Sequence, residues 1–541
     1  MTEKISIQIK SAVNSLTNFV AHHNITAILL SGIAVYIPFI CKPFHMDDPF
    51  FIYAARAIDM APFHPFSVHS FYNLWGSNFN SILFYYFTAT LRAIIGENEI
   101  GMHCGYLVFF IGAGVILYLL CRSMKIHSII PALLLLFSPL SMLTSSGIMS
   151  DFPFVFFLLS AVYCFVKGME QNDDPLLIAV SMLAILCAIF TKYYGLLIII
   201  PLAFLAVAHR KYKYLLYFLT LLICFALSAV AFSHGSESHF MYVIRQLGWM
   251  HSPIRKETLS FLTTLGGVTV FPLSYLALIG NRPKRWIVYI GAFMLVEFAL
   301  FYVRWHTFAV HTASLYLVNS CILFTFVIER TLRSLRKKEY IVSAMGLWFL
   351  SYSIFIMTLP SMMAARYVLP MLPPLVIFFF LEADAQLPSG VKRLFLKATL
   401  MLTVVLGFAL NIADYKLANI YRKFAREIKT NLSQTNTGFL GDYAFAYYLQ
   451  KNGFVRYDPS QHNFLLIAKY ASSHEIFGRN EALMEMADKY TLVATIPAST
   501  NPVLRVWDPS AFAGFHLNMF GYIPWGISDQ PMDTFYLFRR K

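Results

Sequence analysis

Charge is scarce in this sequence. Of 541 residues, 42 are Lys or Arg and 28 are Asp or Glu, 13% in all. A water-soluble chain of this length needs a much more polar surface, and one core could not hide the apolar remainder. Cysteine is sparse too. Cys41, Cys104, Cys121, Cys164, Cys187, Cys224 and Cys321 all lie in or beside apolar runs. None lies in the long C-terminal segment, which excludes a disulfide framework there. No Cys, His or acidic spacing forms a metal-ligand motif, so the sequence names no metal and no cofactor. A divalent cation is compatible with the chemistry below, but no ligand motif supports it. Repeats of solenoid period and low-complexity tracts are absent. The net charge of +14 is not accompanied by a basic-aromatic array, so no nucleic-acid groove is expected. A small-residue cleavage site is missing after the first apolar run, Ile25 to Pro43, which therefore reads as an uncleaved anchor behind a polar, amphipathic N-terminus.

Apolar residues are what the chain has in excess: 58% hydrophobic and 16% aromatic, with mean hydropathy +0.61. Runs of about 18 residues or more, nearly free of charge, recur along it, each long enough to cross a bilayer. About thirteen spans are expected, near 25–44, 101–121, 128–147, 151–168, 175–191, 194–209, 213–233, 259–280, 286–303, 313–328, 340–360, 367–382 and 395–413. The loops between them alternate in charge. Arg122 and Lys125; Arg210, Lys211 and Lys213; Arg282, Lys284 and Arg285; Arg330 to Lys338; and Lys392, Arg393 and Lys397 mark one side as cytoplasmic. Loops 45–100, 234–258, 304–312 and 361–366 then face outward. An odd number of spans puts the C-terminus with them. The expected organisation is an all-α polytopic membrane domain over 1–413, with outer loop 45–100, and a small soluble α/β domain over 414–541. Strand-like Phe464–Ala468 and Tyr490–Ile496 and a helical stretch from Glu481 to Lys489 fit that tail.

Loop 45–100 opens His45-Met46-Asp47-Asp48-Pro49. Two adjacent carboxylates at a membrane surface repel, and an apolar setting opposes ionisation, which moves one of them toward the range of a general base. The same residues also fit a helix start, with Asp48 as the N-cap before Pro49. Both readings hold together if Asp48 caps and Asp47 reacts. Two amphipathic stretches follow, Phe51 to Ile58 with Arg56, and Ser81 to Gly96; each reads as a helix lying on the membrane. Asp151, Lys192 and Arg366 lie at span ends. Charge inside a membrane protein usually has a partner or lines a wet cavity. The structural alternative for Lys192 is snorkelling to the interface, and for Arg366 a span-end anchor. His45, His64, His69, His103, His306 and His311 map to the outer side, most of them as interfacial or substrate-contacting residues.

Together these motifs resemble the C-type (GT-C) membrane glycosyltransferases, especially the protein O-mannosyltransferases and the lipid A aminoarabinose transferases. The likeness rests on the acidic pair after the first span, the Ala55-Arg56 helix, and the second juxtamembrane helix ending Gly96-Glu97. Ser150-Asp151-Phe152-Pro153-Phe154 is similar to the family's second acidic motif. Thr191-Lys192-Tyr193-Tyr194-Gly195 is similar to its Thr-Lys-x-x-Gly turn, and Arg366-Tyr367-Val368-Leu369-Pro370-Met371-Leu372-Pro373 to its Arg-Tyr-x-x-Pro-x-x-Pro opening of a span. Gly441-Asp442-Tyr443 through Tyr448 matches the tails of related bacterial enzymes. Two departures stand out: Asp47-Asp48 replaces Asp-Glu, and Asn80-Ser81 stands where Pro-Pro is common. The resemblance implies an inverting transfer of sugar from a polyprenyl-phosphate donor to a lipid A, protein or polysaccharide acceptor outside the cytoplasm. Asp47, Asp48 and Asp151 would then be catalytic, and Arg56, Lys192 and Arg366 would bind the donor phosphate. A bacterial inner membrane, with site and tail on the periplasmic side, is the expected location. The competing readings are a multi-pass transporter or lipid flippase, and a non-catalytic scaffold for envelope polysaccharide synthesis.

Overall fold

The computed structural model describes residues 23–62, 82–231, 254–271, 308–358, 363–432, 436–472, 489–498 and 503–541. Its apolar runs are helices, the form in which one segment satisfies its own backbone in lipid. Among the described residues six helices are long and apolar enough to cross a membrane, and five shorter apolar helices accompany them. The chain is an integral membrane protein.

The expected spans up to 213–233, and those from 313–328 onward, all coincide with helical elements. Span 128–147 is two short helices, Ile130–Phe137 and Pro139–Ser145. Ser138 breaks them apart with ψ 144° and caps the second by accepting the Ser141 N–H at 3.1 Å. Of span 259–280 the structure describes residues to 271, most of them in the helix Ile254–Val268, which is bonded to the tail at Glu257, Thr263 and Gly267 through Asn518, Tyr522 and Trp525; the rest lies outside the described residues. Contacts over that length lay the helix along the tail. Span 286–303 lies outside the described residues, as does most of the Glu481–Lys489 stretch.

In the first outer loop the helices Asp48–Met60 and Ile82–Ile95 pack together, with the Phe51 and Phe84 rings edge to face at 4.7 Å. These are the two juxtamembrane helices expected from the pattern; Asn80-Ser81 lies outside the described residues.

The last membrane helix, Ser389–Leu432, runs straight across position 413/414 toward the tail. There a five-stranded sheet forms in the order Val455–Arg456, Thr437–Leu440, Phe464–Ala468, Asp533–Arg540, Tyr490–Ala498. The first three strands are parallel, and Asp533–Arg540 pairs antiparallel on both sides. The tail sits on the first outer loop. Tyr448 Oη accepts the Phe44 N–H at 2.8 Å and donates to Glu99 Oε1 at 2.6 Å, while Tyr53 Oη donates to Gln450 Oε1 at 2.6 Å.

Candidate active site

Four charged side chains from four separate segments meet at one point beside the tail. Asp47 is the residue before the Asp48–Met60 helix. Asp151 is the first residue of Asp151–Glu170, where the helix dipole favours a carboxylate. Lys192 stands between the helix Pro175–Thr191 and the 3-10 turn Tyr193–Ile198, in extended conformation (φ −152°, ψ 126°). Arg366 lies in the 3-10 turn Ala365–Met371, which Pro370 and Pro373 lead into the helix Leu372–Gln386.

Local sequence explains the placement of Lys192. A Cβ on Gly195 would lie 2.8 Å from the Ala188 carbonyl carbon and the Ile189 nitrogen. Only glycine lets the turn fold back on the helix it leaves, which gives the Thr-Lys-x-x-Gly spacing a steric reason.

The contacts are close. Lys192 Nζ is 2.7 Å from Asp151 Oδ1, and Arg366 Nη2 is 2.8 Å from Asp47 Oδ2. Arg366 Nε lies 3.8 Å from Asp151 Oδ2, so the guanidinium links the two carboxylates. Two acids and two bases balance the group. The Lys192 ammonium lies 5.7 Å and 5.6 Å from the Tyr194 and Tyr367 ring centres. Asp151 and Lys192 are buried, whereas the Asp47 side chain is 32% exposed and forms the open edge of the cluster.

The tail completes the site. Ala365 N–H donates to Phe515 O at 2.8 Å, and Arg366 Nη1 donates to His516 O at 3.2 Å. Met363 N–H donates to Asn518 Oδ1 at 3.2 Å while Met363 O accepts the Asn518 N–H at 2.8 Å. Arg366 is therefore set by the tail as much as by its own span.

Two expected site residues stand elsewhere. Arg56 pairs with Glu97, both contacts at 2.5 Å, on an exposed face. Nine residues at about 100° each carry it to the far side of the helix from Asp47. Asp48 is inside the helix and not its cap, because its carboxylate is occupied: Oδ2 accepts the His45 N–H at 2.8 Å and Oδ1 the Ile148 N–H at 2.7 Å. Gly147 allows this, since a Cβ there would lie 2.9 Å from Asp48 Oδ1. Burial, more than repulsion from Asp47, pushes the Asp48 carboxyl up to about 7. The arrangement gives Asp48 a structural task, joining the first outer loop to the loop before Asp151.

His45 and His103 are buried and not interfacial. His103 is turned inward, its Nδ1 3.0 Å from Ile40 O, while His311 is exposed. His64, His69 and His306 lie outside the described residues.

Sequence reasoning missed a second charged group behind the first. Lys42 Nζ is 2.5 Å from Asp414 Oδ2, with both side chains buried, and His516 Nε2 is 2.7 Å from Asp414 Oδ1. A basic residue at the outer end of the first span runs against the positive-inside pattern, and that was the available signal. Removing one partner strands a buried charge. Lys42→Met and Asp414→Asn should each cost about 3–5 kcal/mol. Thermal unfolding in detergent would show it, with the double variant losing less than the sum of the two; additive losses would mean the pair is not coupled.

Residues 80–234 match the family model for dolichyl-phosphate-mannose-protein mannosyltransferase. No curated protein matches the sequence. Among solved structures, ArnT from Cupriavidus metallidurans bound to undecaprenyl phosphate is similar at 11% identity and TM-score 0.50, over 87% of this chain and 96% of that one. The apo state of the same protein gives 11% identity and TM-score 0.45 over 91% and 97%. AglB from Archaeoglobus fulgidus, an archaeal oligosaccharyltransferase in complex with an inhibitory peptide and a dolichol-phosphate, gives 12% and 0.43 over 88% and 70%. The chain has the GT-C fold, and the family match together with that fold supports a glycosyltransferase of lipid-linked sugars.

Proposed function

We propose, from the GT-C fold and the four-residue charge cluster, that this chain is an inverting glycosyltransferase moving a sugar from a polyprenyl-phosphate donor to an acceptor outside the cytoplasm. The observation that carries the reading is the convergence of Asp47, Asp151, Lys192 and Arg366 from four segments at 2.7–3.8 Å. One carboxylate to take a proton and a pair of cations to hold a phosphate are what such a displacement needs. The acceptor oxygen attacks the anomeric carbon from the face opposite the phosphate, the bond from that carbon to the phosphate oxygen breaks, and the acceptor proton passes to a carboxylate. A phosphate leaves as a stable anion, so it needs cations near its oxygens and no strong acid.

Asp47, the exposed carboxylate, is the proposed base. Lys192 and Arg366 are the proposed phosphate ligands. Asp151, buried and bridging both cations, holds them in place. An arriving phosphate competes with the two carboxylates for these cations and releases Asp47 Oδ2 from Arg366. The lipid chain lies among the spans, which accounts for a membrane enzyme. Arg56 and Asp48 have no direct part. The proposed division is a membrane domain, 1–413, and an extracytoplasmic domain, 414–541, joined by the one helix Ser389–Leu432. The site and tail are placed on the periplasmic side of a bacterial inner membrane, a reading supported by the alternation of basic loops. A lipid, protein or glycan serves as acceptor.

Sealed vesicles of known orientation test this. With labelled polyprenyl-phosphate sugar in the bilayer, label should move to an acceptor supplied only on the face bearing the tail. Passage of the labelled lipid between leaflets without transfer would establish a flippase instead, and neither event would leave a scaffold.

A further inference from the structure

Behind the acidic pair lies a cluster that the proposed reaction does not use. His45 comes from the first outer loop, Asp414 from the Ser389–Leu432 helix and His516 from the tail. All three are buried, and one donor atom from each lies within 4.8 Å of the others. Asp414 Oδ1 is 2.7 Å from His516 Nε2 and 3.6 Å from His45 Nε2. The two imidazoles meet edge to face with centroids 5.2 Å apart.

His45 is the anomaly. Its side chain is 3% exposed, yet among the described residues neither ring nitrogen has a hydrogen-bond partner. An imidazole so placed has lost its water and gained no hydrogen bond from the described residues, which is costly. Burial also holds it well below the usual histidine range, in the neutral form that ligates metals.

We propose that His45, Asp414 and His516 form a binding site for a divalent transition ion of the zinc class. Two nitrogens and one carboxylate oxygen are a zinc-type donor set, and the two nitrogens disfavour magnesium and calcium. The ion takes the place of the proton between His516 Nε2 and Asp414 Oδ1; His516 stays neutral by carrying its proton on Nδ1, and the ion gives His45 Nε2 the partner it lacks. Asp414 presents Oδ1 because Lys42 occupies Oδ2, and Lys42 is itself held by Ser146 Oγ at 3.0 Å. Such outer partners orient a metal-binding carboxylate. The Lys42 ammonium opposes a cation, and the Asp48 carboxylate, bonded to the His45 N–H, offsets it.

The site would staple three segments together at a useful place. His45 is two residues from Asp47, and the His516 carbonyl holds Arg366. The ion would set both from behind without touching the reacting groups, so its presence is independent of which reaction the enzyme performs.

The test uses the full chain purified in detergent, incubated with zinc chloride and passed over a desalting column. Bound metal is read by mass spectrometry, and a cobalt-loaded sample is read by visible absorption. The expected result is about one zinc per chain, with four-coordinate cobalt bands. His45→Gln and His516→Gln should each lower zinc retention more than about tenfold, while the exposed-histidine control His311→Gln retains it. Folded wild-type chain without stoichiometric zinc, or both glutamine variants retaining it in full, would overturn the proposal. If the variants fail to fold, the wild-type cobalt spectrum decides: absence of histidine-ligated bands refutes the site.

Discussion

Asp47→Asn is expected to give a folded, membrane-inserted chain that transfers sugar about 10²–10⁴-fold more slowly, the usual contribution of a positioned base. The amide oxygen can still accept from Arg366 Nη2, which Asp47 Oδ2 now does at 2.8 Å, and the partly exposed side chain carries little of the core. What the amide lacks is the capacity to take the acceptor proton. A second readout separates this from damage to the phosphate site. The Asp47 carboxylate competes with a phosphate for Arg366, so the amide should bind the donor as tightly as wild type or tighter. Single-turnover rate and donor affinity on the purified variant give both numbers. Near-wild-type turnover would remove Asp47 as the base; a weakened donor affinity with matching rate loss would recast it as a residue that positions Arg366.

Much of this cluster was legible because ionisable groups beside apolar runs are rare enough to notice. Asp47, Asp151, Lys192 and Arg366 each sit at a run end, and alternation of the spans puts them on one face. Their pairing was not legible, since it depends on how four helices pack. Arg56 shows the opposite failure: its motif was present, but the helix turns it toward Glu97. Asp48 was read from the neighbouring Asp47 and Pro49, whereas its partner is the Ile148 amide, 100 positions away. Lys42 disappeared into the first span, and His516 sits in a tail loop with no periodic pattern. The 413/414 boundary followed a fall in hydropathy. The helix continues past it because Leu417, Tyr421, Phe424 and Ile428 keep helical spacing and are all buried. Hydropathy reports lipid, and periodicity reports the helix; where the two part, periodicity gives the element.

Loss of either cation is expected to weaken donor binding and slow the chemical step together, because charge grows on the phosphate oxygen as the sugar leaves it. Lys192→Gln and Arg366→Gln should each reduce the single-turnover rate by about 10²–10³-fold, the cost of one preorganised donor. Donor affinity should fall by about 1.5–3 kcal/mol, the range for a hydrogen bond to a charged group. Arg366→Lys should be nearly as harmful as Arg366→Gln. The guanidinium now reaches His516 O, Asp47 and Asp151 with three different nitrogens, and an ammonium cannot span that fork. Lys192→Arg should not be mild either: the Lys192 side chain is 4% exposed and lies beside the Tyr194 and Tyr367 rings, leaving little room for a larger head. Each variant is to be measured as detergent-purified, folded protein, by donor affinity and by single-turnover rate. If Lys192 and Arg366 only anchor span ends, the glutamine variants will lose stability or insertion while the correctly folded fraction turns over normally. Unchanged affinity and rate in both would take the phosphate out of this cluster and leave Asp47 without a leaving group to work against.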